Sequence, residues 1–317
     1  MVAVVKDEEE HQVVTSALDI TAEILKQCGA AATRDQGNID KVLSCVKRIM
    51  KGECACQDVE LEDGDEEEAE QDEMLFEYAG EIIPNLGKAM TPATFAPYFT
   101  GLLPMLLKKT KKNASISERS FSVGAIAESV QPLCGGGVLA ALLPHILPML
   151  GDMCRDPEDD CRNNAVYGLG ELLLWGGQEV CQHRDTILVS LSQMLKVLSH
   201  HVIISVSYHL TMIFQQIESA PRVVDNIIGA IARAVIADVS GSAVEDIVTA
   251  VTANLPLKED TDEYDTVFKM FAALLAAQHP AFPRCLAKMV ESAAVFYSDP
   301  NTDKVRLSRS GRKIIIL

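Results

Sequence analysis

Apolar residues recur along most of the chain at intervals of three and four, the spacing that gathers them on one side of an α-helix. In "VVTSALDITAEILKQCG", Val14, Leu18, Ile24 and Leu25 fall mainly on one face, and Gly29 supplies a stop. "NIDKVLSCVKRIMKG" repeats the arrangement with Ile39, Val42, Leu43, Val46, Ile49 and Met50, and ends on Gly52. The same periodicity predicts helices over 74–90, 201–217, 222–237, 244–254, 264–277 and 282–297. No segment alternates with period two for long enough to build a sheet.

The helical segments also rhyme. "TFAPYFTGLLPMLLKKT" resembles "VLAALLPHILPMLGDMC", with Leu103-Pro104 and Leu143-Pro144 separated by 40 residues. Each is followed by a polar turn and a second amphipathic segment, "SISERSFSVGAIAESV" and "DDCRNNAVYGLGELLLW". A further round starts at "DTILVSLSQMLKVLS". Two-helix units at this period are the mark of HEAT or armadillo repeats. One helix pair cannot bury its own apolar face, whereas stacked pairs share a continuous core. The expected fold is all-α: a HEAT-repeat α-solenoid, a right-handed superhelix of antiparallel helix pairs forming a single array over 1–317. Pro104 and Pro144 fall inside the first helix of their pairs, where proline kinks the axis. "DPEDDCRNNA" reads as the entry to a second helix: Asp156 caps, Pro157 starts, and Arg162 reaches back to the inter-helix turn.

Charge changes the picture at one place. The formal net charge is −17, and eleven of the sixteen residues over 58–73 are acidic with no Lys or Arg among them. Glu62, Asp63, Asp65, Glu66, Glu67, Glu68, Glu70, Asp72 and Glu73 belong to this run. It is expected as an acidic loop inside one repeat, between a helix ending near Lys51 and one beginning near Met74. Two readings stand: a solvated insertion, or an electrostatic lure for basic protein. Such a surface repels nucleic acid and anionic membrane. A second cluster, Glu259, Asp260, Asp262, Glu263 and Asp265, is explained as well by capping and solvation as by binding.

Enzyme chemistry finds no foothold. No phosphate-binding Gly-x-x-x-x-Gly-Lys-Ser/Thr or nucleophile-elbow Gly-x-Ser-x-Gly occurs. "CGGGV" reads as an inter-helix turn, and "SHH" at 199–201 has no ligand partners at metal spacing. The nine cysteines show no ligand spacing, and Cys54-Ala55-Cys56 is too tight for a zinc knuckle. Cys28, Cys45, Cys134, Cys154, Cys161 and Cys285 read as reduced core thiols, which favours cytosol or nucleus. The start has no secretory h-region, and no apolar run reaches transmembrane length. No catalytic residue, cofactor or metal is expected.

Binding surfaces remain. On a helical wheel of 160–175, Arg162, Ala165, Val166, Leu169, Leu172 and Leu173 form a core side. Asp160, Asn163, Asn164, Tyr167, Glu171 and, at the edge, Trp175 share the other. Asn amides can bond both N–H and C=O of an extended peptide, and carboxylates pair with Lys or Arg. The single Trp can stack on a cation. Glu128 on the preceding second helix, with Asp225 and Asn226 on the following one, would extend this face along the concave side, where solenoids hold extended ligands.

The long block "MLFEYAGEIIPNLGKAMTPATFAPYFTGLLPMLLKKTKKNASISERSFSVGAIAE" resembles the C-terminal half of karyopherin-β (importin-β) nuclear transport receptors. "RNNAVYGLGELLLWGG", "RVVDNIIGAIARAV" and "LPLKED" continue the likeness in order, over about residues 8–303. The resemblance implies a HEAT superhelix that shuttles between cytoplasm and nucleus. It implies basic protein cargo, histone tails and ribosomal proteins among it, together with nuclear-pore proteins as partners. Ran would be bound mainly by an N-terminal part that this chain lacks. Between 185 and 221 the sequence is about one helix longer than the likeness requires. The 304–317 end, with Arg306, Arg309, Arg312 and Lys313, is atypical for a final repeat. The rival reading is a HEAT scaffold or adaptor, such as a phosphatase regulatory subunit, which periodicity alone supports equally well.

Overall fold

A computed structural model describes residues 5, 7–57, 66–135, 137–195 and 220–298, the side chains of 66–70 excepted. Among the described residues every regular element is helical. The chain divides into two compact units, Met1–Met153 and Cys154–Leu317. The first holds α1 (His11–Cys28), α2 (Gln36–Ile49), α3 (Glu66–Lys88), α4 (Pro92–Lys109), α5 (Ile116–Leu133) and α6 (Val138–Met153). The second holds α7 (Asp159–Trp175), a short α8 (Gly177–Cys181), α9 (Arg184–Leu195), α10 (Pro221–Ala237), α11 (Val244–Ala253), α12 (Glu263–Ala276) and α13 (Phe282–Ser298).

Each unit has the two-row arrangement of stacked HEAT repeats. In the first, α1, α3 and α5 pack side by side as one row, and α4 packs on α5 and α6 in the other. In the second, α7, α10 and α12 form one row, with α9 and α11 packed on α10 and α13 packed on α12. The apolar stripes read from sequence supply the contacts: Phe95, Phe99, Leu102, Leu103 and Leu106 of α4 are buried, as are Leu139, Leu142, Leu143, Ile146 and Leu150 of α6. Pro104 and Pro144 lie within these helices on exposed positions.

The turns into the second helices repeat a device. Ser115 accepts from the Glu118 N–H at 3.1 Å while the Glu118 carboxylate accepts from the Ser115 N–H at 3.0 Å, a reciprocal cap. Buried Arg119 then donates back to the Ala114 carbonyl at 2.9 Å. In α7, Arg162 does the same, donating to the carbonyls of Asp156 and Pro157 at 2.7 Å each and pairing with Asp159. The reach of Arg162 follows the sequence reading. The cap does not: α7 begins at Asp159, and Asp156 accepts from the Glu158 N–H at 3.0 Å inside the turn.

Other differences have physical reasons. The expected loop over 58–73 is helical from Glu66 onward, since Glu is a good helix former and is favoured in a first turn by the helix dipole. Its earlier part, with Glu62, Asp63 and Asp65, lies outside the described residues. So do the helix expected over 201–217 and the 304–317 end. Val14, Leu18, Ala22 and Leu25 of α1 are buried, but Ile24 is not; a helix that packs on one side only buries only one stripe. Cys28 is likewise exposed and Cys134 half-buried, and none of the nine cysteines forms a disulfide.

Candidate functional site

The strongest packing in the second unit is α10 against α7 and α12, and small residues allow it. A Cβ on Gly170 would stand 2.9 Å from the Ala230 Cα, so α7 and α10 approach with no side chain between them. A Cβ on Gly229 would fall 1.9 Å from Glu263 Oε2, where the α12 carboxylate lies over the α10 backbone. This intimacy recesses α10, leaving most of it buried between its neighbours.

In that recess sits an ionic network that spans three helices. The Arg233 Nε lies 3.1 Å from Glu171 on α7, and its Nη2 lies 2.9 Å from Glu263 on α12. All three side chains are buried. The guanidinium also stands over the Tyr167 ring, 5.0 Å from its centroid. The Trp175 indole N–H donates to Glu171. Burial pushes both carboxyls above the ordinary glutamate range, more than Arg233 pulls them down. Burial opposes the charge on Arg233 too, but Glu263 and Glu171 outweigh it and hold the guanidinium charged. Two acids share one cation here, so the network carries an excess negative charge in a poorly solvated place.

A second set of bonds ties α10 to the loop after α11. Asp225 Oδ2 accepts from the backbone N–H groups of Lys258, Glu259 and Asp260 at 2.9, 2.7 and 3.0 Å. Asn226 donates to Asp260 at 2.6 Å, and Glu259 accepts from the Arg222 N–H at 3.2 Å.

Several sequence-derived site residues therefore sit elsewhere than on a solvent face. Glu171, Asp225 and Asn226 are buried and committed to contacts within the unit. Asn163 is also buried, and its Oδ1 finds no hydrogen-bond partner among the described residues. The helical wheel assigned the α10-facing side of α7 to solvent, but α10 packs there. What α7 shows to water is Asp160, part of Asn164 and Tyr167, and Trp175, which is 44% exposed. Asp160 pairs at the surface with Arg222 at 3.2 Å. Glu128, in the other unit, is exposed and pairs with Lys88 at 3.4 Å. Asp72 pairs with His11 at 3.2 Å, and Glu73 is exposed. Of the later acidic cluster, Glu263 is buried against α10, while half-buried Asp260 and exposed Glu259 accept from Asn226 and the Arg222 N–H of that helix. Asp265 pairs with Lys269 at 2.5 Å. Arg233 and Glu263 were missing from the sequence-derived site. The available signal was one Arg inside the apolar run "IIGAIARAVIA", a placement that demands a buried partner.

Among the described residues no group of three or more His, Cys, Asp or Glu is arranged to hold a metal ion, and no helix is long and apolar enough to cross a membrane. What the arrangement offers is a preorganised surface: an indole and a phenol held at fixed heights on α7 by the network behind them.

Two rows of stacked helices, tied at the turns by buried arginines, define a HEAT-repeat α-solenoid of the karyopherin kind. Solved structures bear this out. Kap121p bound to RanGTP matches 92% of this chain with a TM-score of 0.64 at 14% identity, over 25% of its own length. The karyopherin Kap121p bound to the SUMO protease Ulp1p matches 97% with a TM-score of 0.53 at 14% identity, over 30% of its length. The sequence narrows the class. Over 272 residues the chain is 34% identical to importin-4 of Homo sapiens, and over 271 residues 35% identical to importin-4 of Mus musculus, each match taking in 85% of this chain. It is an importin-β family sequence of the importin-4 type. It spans 23% of the length of these curated relatives. No family profile matches it.

Proposed function

We propose that the chain is the cargo-binding portion of a nuclear import receptor, carrying basic protein segments through the nuclear pore and shuttling between cytoplasm and nucleus. The observation that carries this reading is the likeness to importin-4 across 85% of the chain. Kap121p, whose fold it shares, has been crystallised with RanGTP and with Nup53p, which makes Ran and pore proteins the expected partner classes. Ran binding would rest mainly on a part of the receptor outside this chain. Histone tails and ribosomal proteins are the proposed cargo class, since an acidic surface attracts lysine- and arginine-rich segments.

On the second unit, contact would fall on Asn164, Tyr167 and Trp175, with Asp160 pairing to cargo cations. Asn163, Glu171, Asp225 and Asn226 would act from behind by holding α7, α10 and the following loop in place. Glu128 and the acidic run over 58–73 would add long-range attraction. Calorimetric titration with a histone-tail peptide tests this. Trp175→Ala should weaken binding at least about tenfold, the scale of one desolvated cation–π contact. Affinity should also fall steeply with salt. Unchanged affinity in Trp175→Ala with intact helicity would remove α7 from the site.

A further inference from the structure

In each unit, an exposed acid proposed above to attract basic segments is already held by a cation of the same unit. Asp160, in the first turn of α7, pairs with Arg222 of α10 at 3.2 Å, and both side chains are more than half exposed. Glu128 of α5 pairs with Lys88 of α3 at 3.4 Å, again with both side chains exposed. In both cases acid and cation come from neighbouring helices of one row, α7 beside α10 and α3 beside α5. Local structure does not call for the Arg222 pair. Arg222 is the second residue of α10, where a positive side chain opposes the helix dipole. Its backbone N–H, not its guanidinium, donates to Glu259, so this tie to the loop after α11 does not use the side chain. Asp160 is favoured in the first turn of α7 with or without a partner. An exposed pair of this kind contributes little to stability. What it does is cover a carboxylate that stands in line with the ligand face: residues 160, 164 and 167 follow one stripe of α7 at spacings of four and three.

We propose that Arg222 is a resident competitor, which occupies Asp160 in the free protein and is exchanged for a lysine or arginine of the bound segment. Lys88 holds Glu128 in the same way. The inference rests on the proposed binding of basic segments and adds a specificity device to it. Exchanging one exposed cation for another at Asp160 gains almost nothing, so a segment offering only a cation is not retained. A segment whose cation is tied to further contacts at Asn164, Tyr167 and Trp175 displaces Arg222, because the released guanidinium returns to water at little cost. Arg222 and Lys88 are thus specificity-determining residues that work by competing with the ligand rather than by touching it.

Calorimetric titration of the full chain with a histone-tail peptide, in Arg222→Ala, Asp160→Asn and the double variant, tests the exchange. Arg222→Ala should tighten binding about two- to fivefold, the scale of one exposed ion pair. Asp160→Asn should weaken binding at least about twofold more in the Arg222→Ala background than in the parent chain, because only there is the carboxylate free beforehand. That coupling separates a local exchange from a change of net charge, whose effects would add. Arg284→Ala is the control: it frees Glu245 by the same change of charge, between α11 and α13, and should leave affinity unchanged. Lys88→Ala with Glu128→Gln repeats the cycle in the first unit and must couple in the same way. Unchanged or weaker binding in Arg222→Ala, or equal effects of Asp160→Asn in the two backgrounds, overturns the proposal and leaves the binding of basic segments standing. Absence of binding in the parent chain and in every variant overturns that binding, and this proposal with it. Helicity and the urea midpoint by circular dichroism check the fold. Where Arg222→Ala lowers the midpoint, Arg222→Gln replaces it and must show the same coupling.

Discussion

Replacing Arg233 by Met keeps most of the side chain's volume and apolar stem but removes the cation that Glu171 and Glu263 share. At 3.1 and 2.9 Å each contact is worth about 5–6 kcal/mol at an effective dielectric near 20, much of it offset by the cost of desolvating the ions. Removing one partner loses the attraction and keeps the desolvation, which costs about 3–5 kcal/mol in buried sites. The lost contact with the Tyr167 ring adds about 1 kcal/mol. A loss near 4 kcal/mol is therefore expected at pH 8, read as a lower urea midpoint by far-ultraviolet circular dichroism. The pH dependence carries the second half of the test. Both carboxyls already sit above the ordinary glutamate range through burial, and without Arg233 they rise further. The folded state then binds more protons than the unfolded one between the ordinary and the raised values, so stability increases as pH falls through that window. The deficit of Arg233→Met should shrink at pH 5.5, and adding Glu171→Gln with Glu263→Gln should recover most of it at pH 8. A deficit under about 1 kcal/mol, or one that grows on acidification, would refute the network as the tie between α7, α10 and α12.

Gly229→Ala should cost about 2–3 kcal/mol, because the new Cβ displaces the Glu263 carboxylate, and that carboxylate is buried and bound to Arg233. The same change in the Arg233→Met background should cost less, which a double-mutant cycle reads directly. Asp225→Ala leaves three backbone N–H groups without their acceptor and should cost about 2–4 kcal/mol, with faster amide hydrogen exchange at 258–260. Ser115→Ala removes one half of the α5 cap and should lower stability by about 1 kcal/mol in a thermal melt. The Glu118 carboxyl is held below its ordinary value: burial raises it, but Lys109 and the Ser115 N–H outweigh that. Its contribution should be lost as pH falls through the range below about 4.5, the reverse of the Glu171 and Glu263 behaviour.

Helix positions were legible in the sequence because the 3.6-residue apolar period is a local signal. The segments 222–237, 244–254, 264–277 and 282–297 each match an observed helix to within a residue or so. The candidate site was less legible. A helical wheel tells one face from another, but it does not say how many neighbours a helix has. For α7 it separated the Leu169 side from the Tyr167 side correctly, then assigned the second side to solvent. In fact α10 covers part of it, at a distance only Gly170 and Gly229 permit. Glycine inside an apolar helix was the available warning of such an approach. The converse error occurred on α1, where Ile24 was assigned to the core because it is apolar, although α1 is packed on α3 alone in its row.

Acidic residues in this chain do two different jobs, and the formal charge of −17 hides the division. In the second unit, Asp225, Glu259, Asp260, Glu171 and Glu263 bind backbone amides, an asparagine and an arginine of the same unit. These acids are engaged in bonds within the unit, and the buried ones among them, Asp225, Glu171 and Glu263, offer a basic ligand no exposed carboxylate. The run over 58–73 is different in composition: eleven acids and no Lys or Arg to answer them locally. Under the proposed function, long-range pull on a basic segment would come chiefly from that run. The fixed shape of the α7 surface comes from the buried acids, which set the height of Tyr167 and Trp175 through Arg233 and Glu171. If the proposed function holds, attraction and shape would rest on separate acidic sets, and neutralising one should leave the work of the other intact.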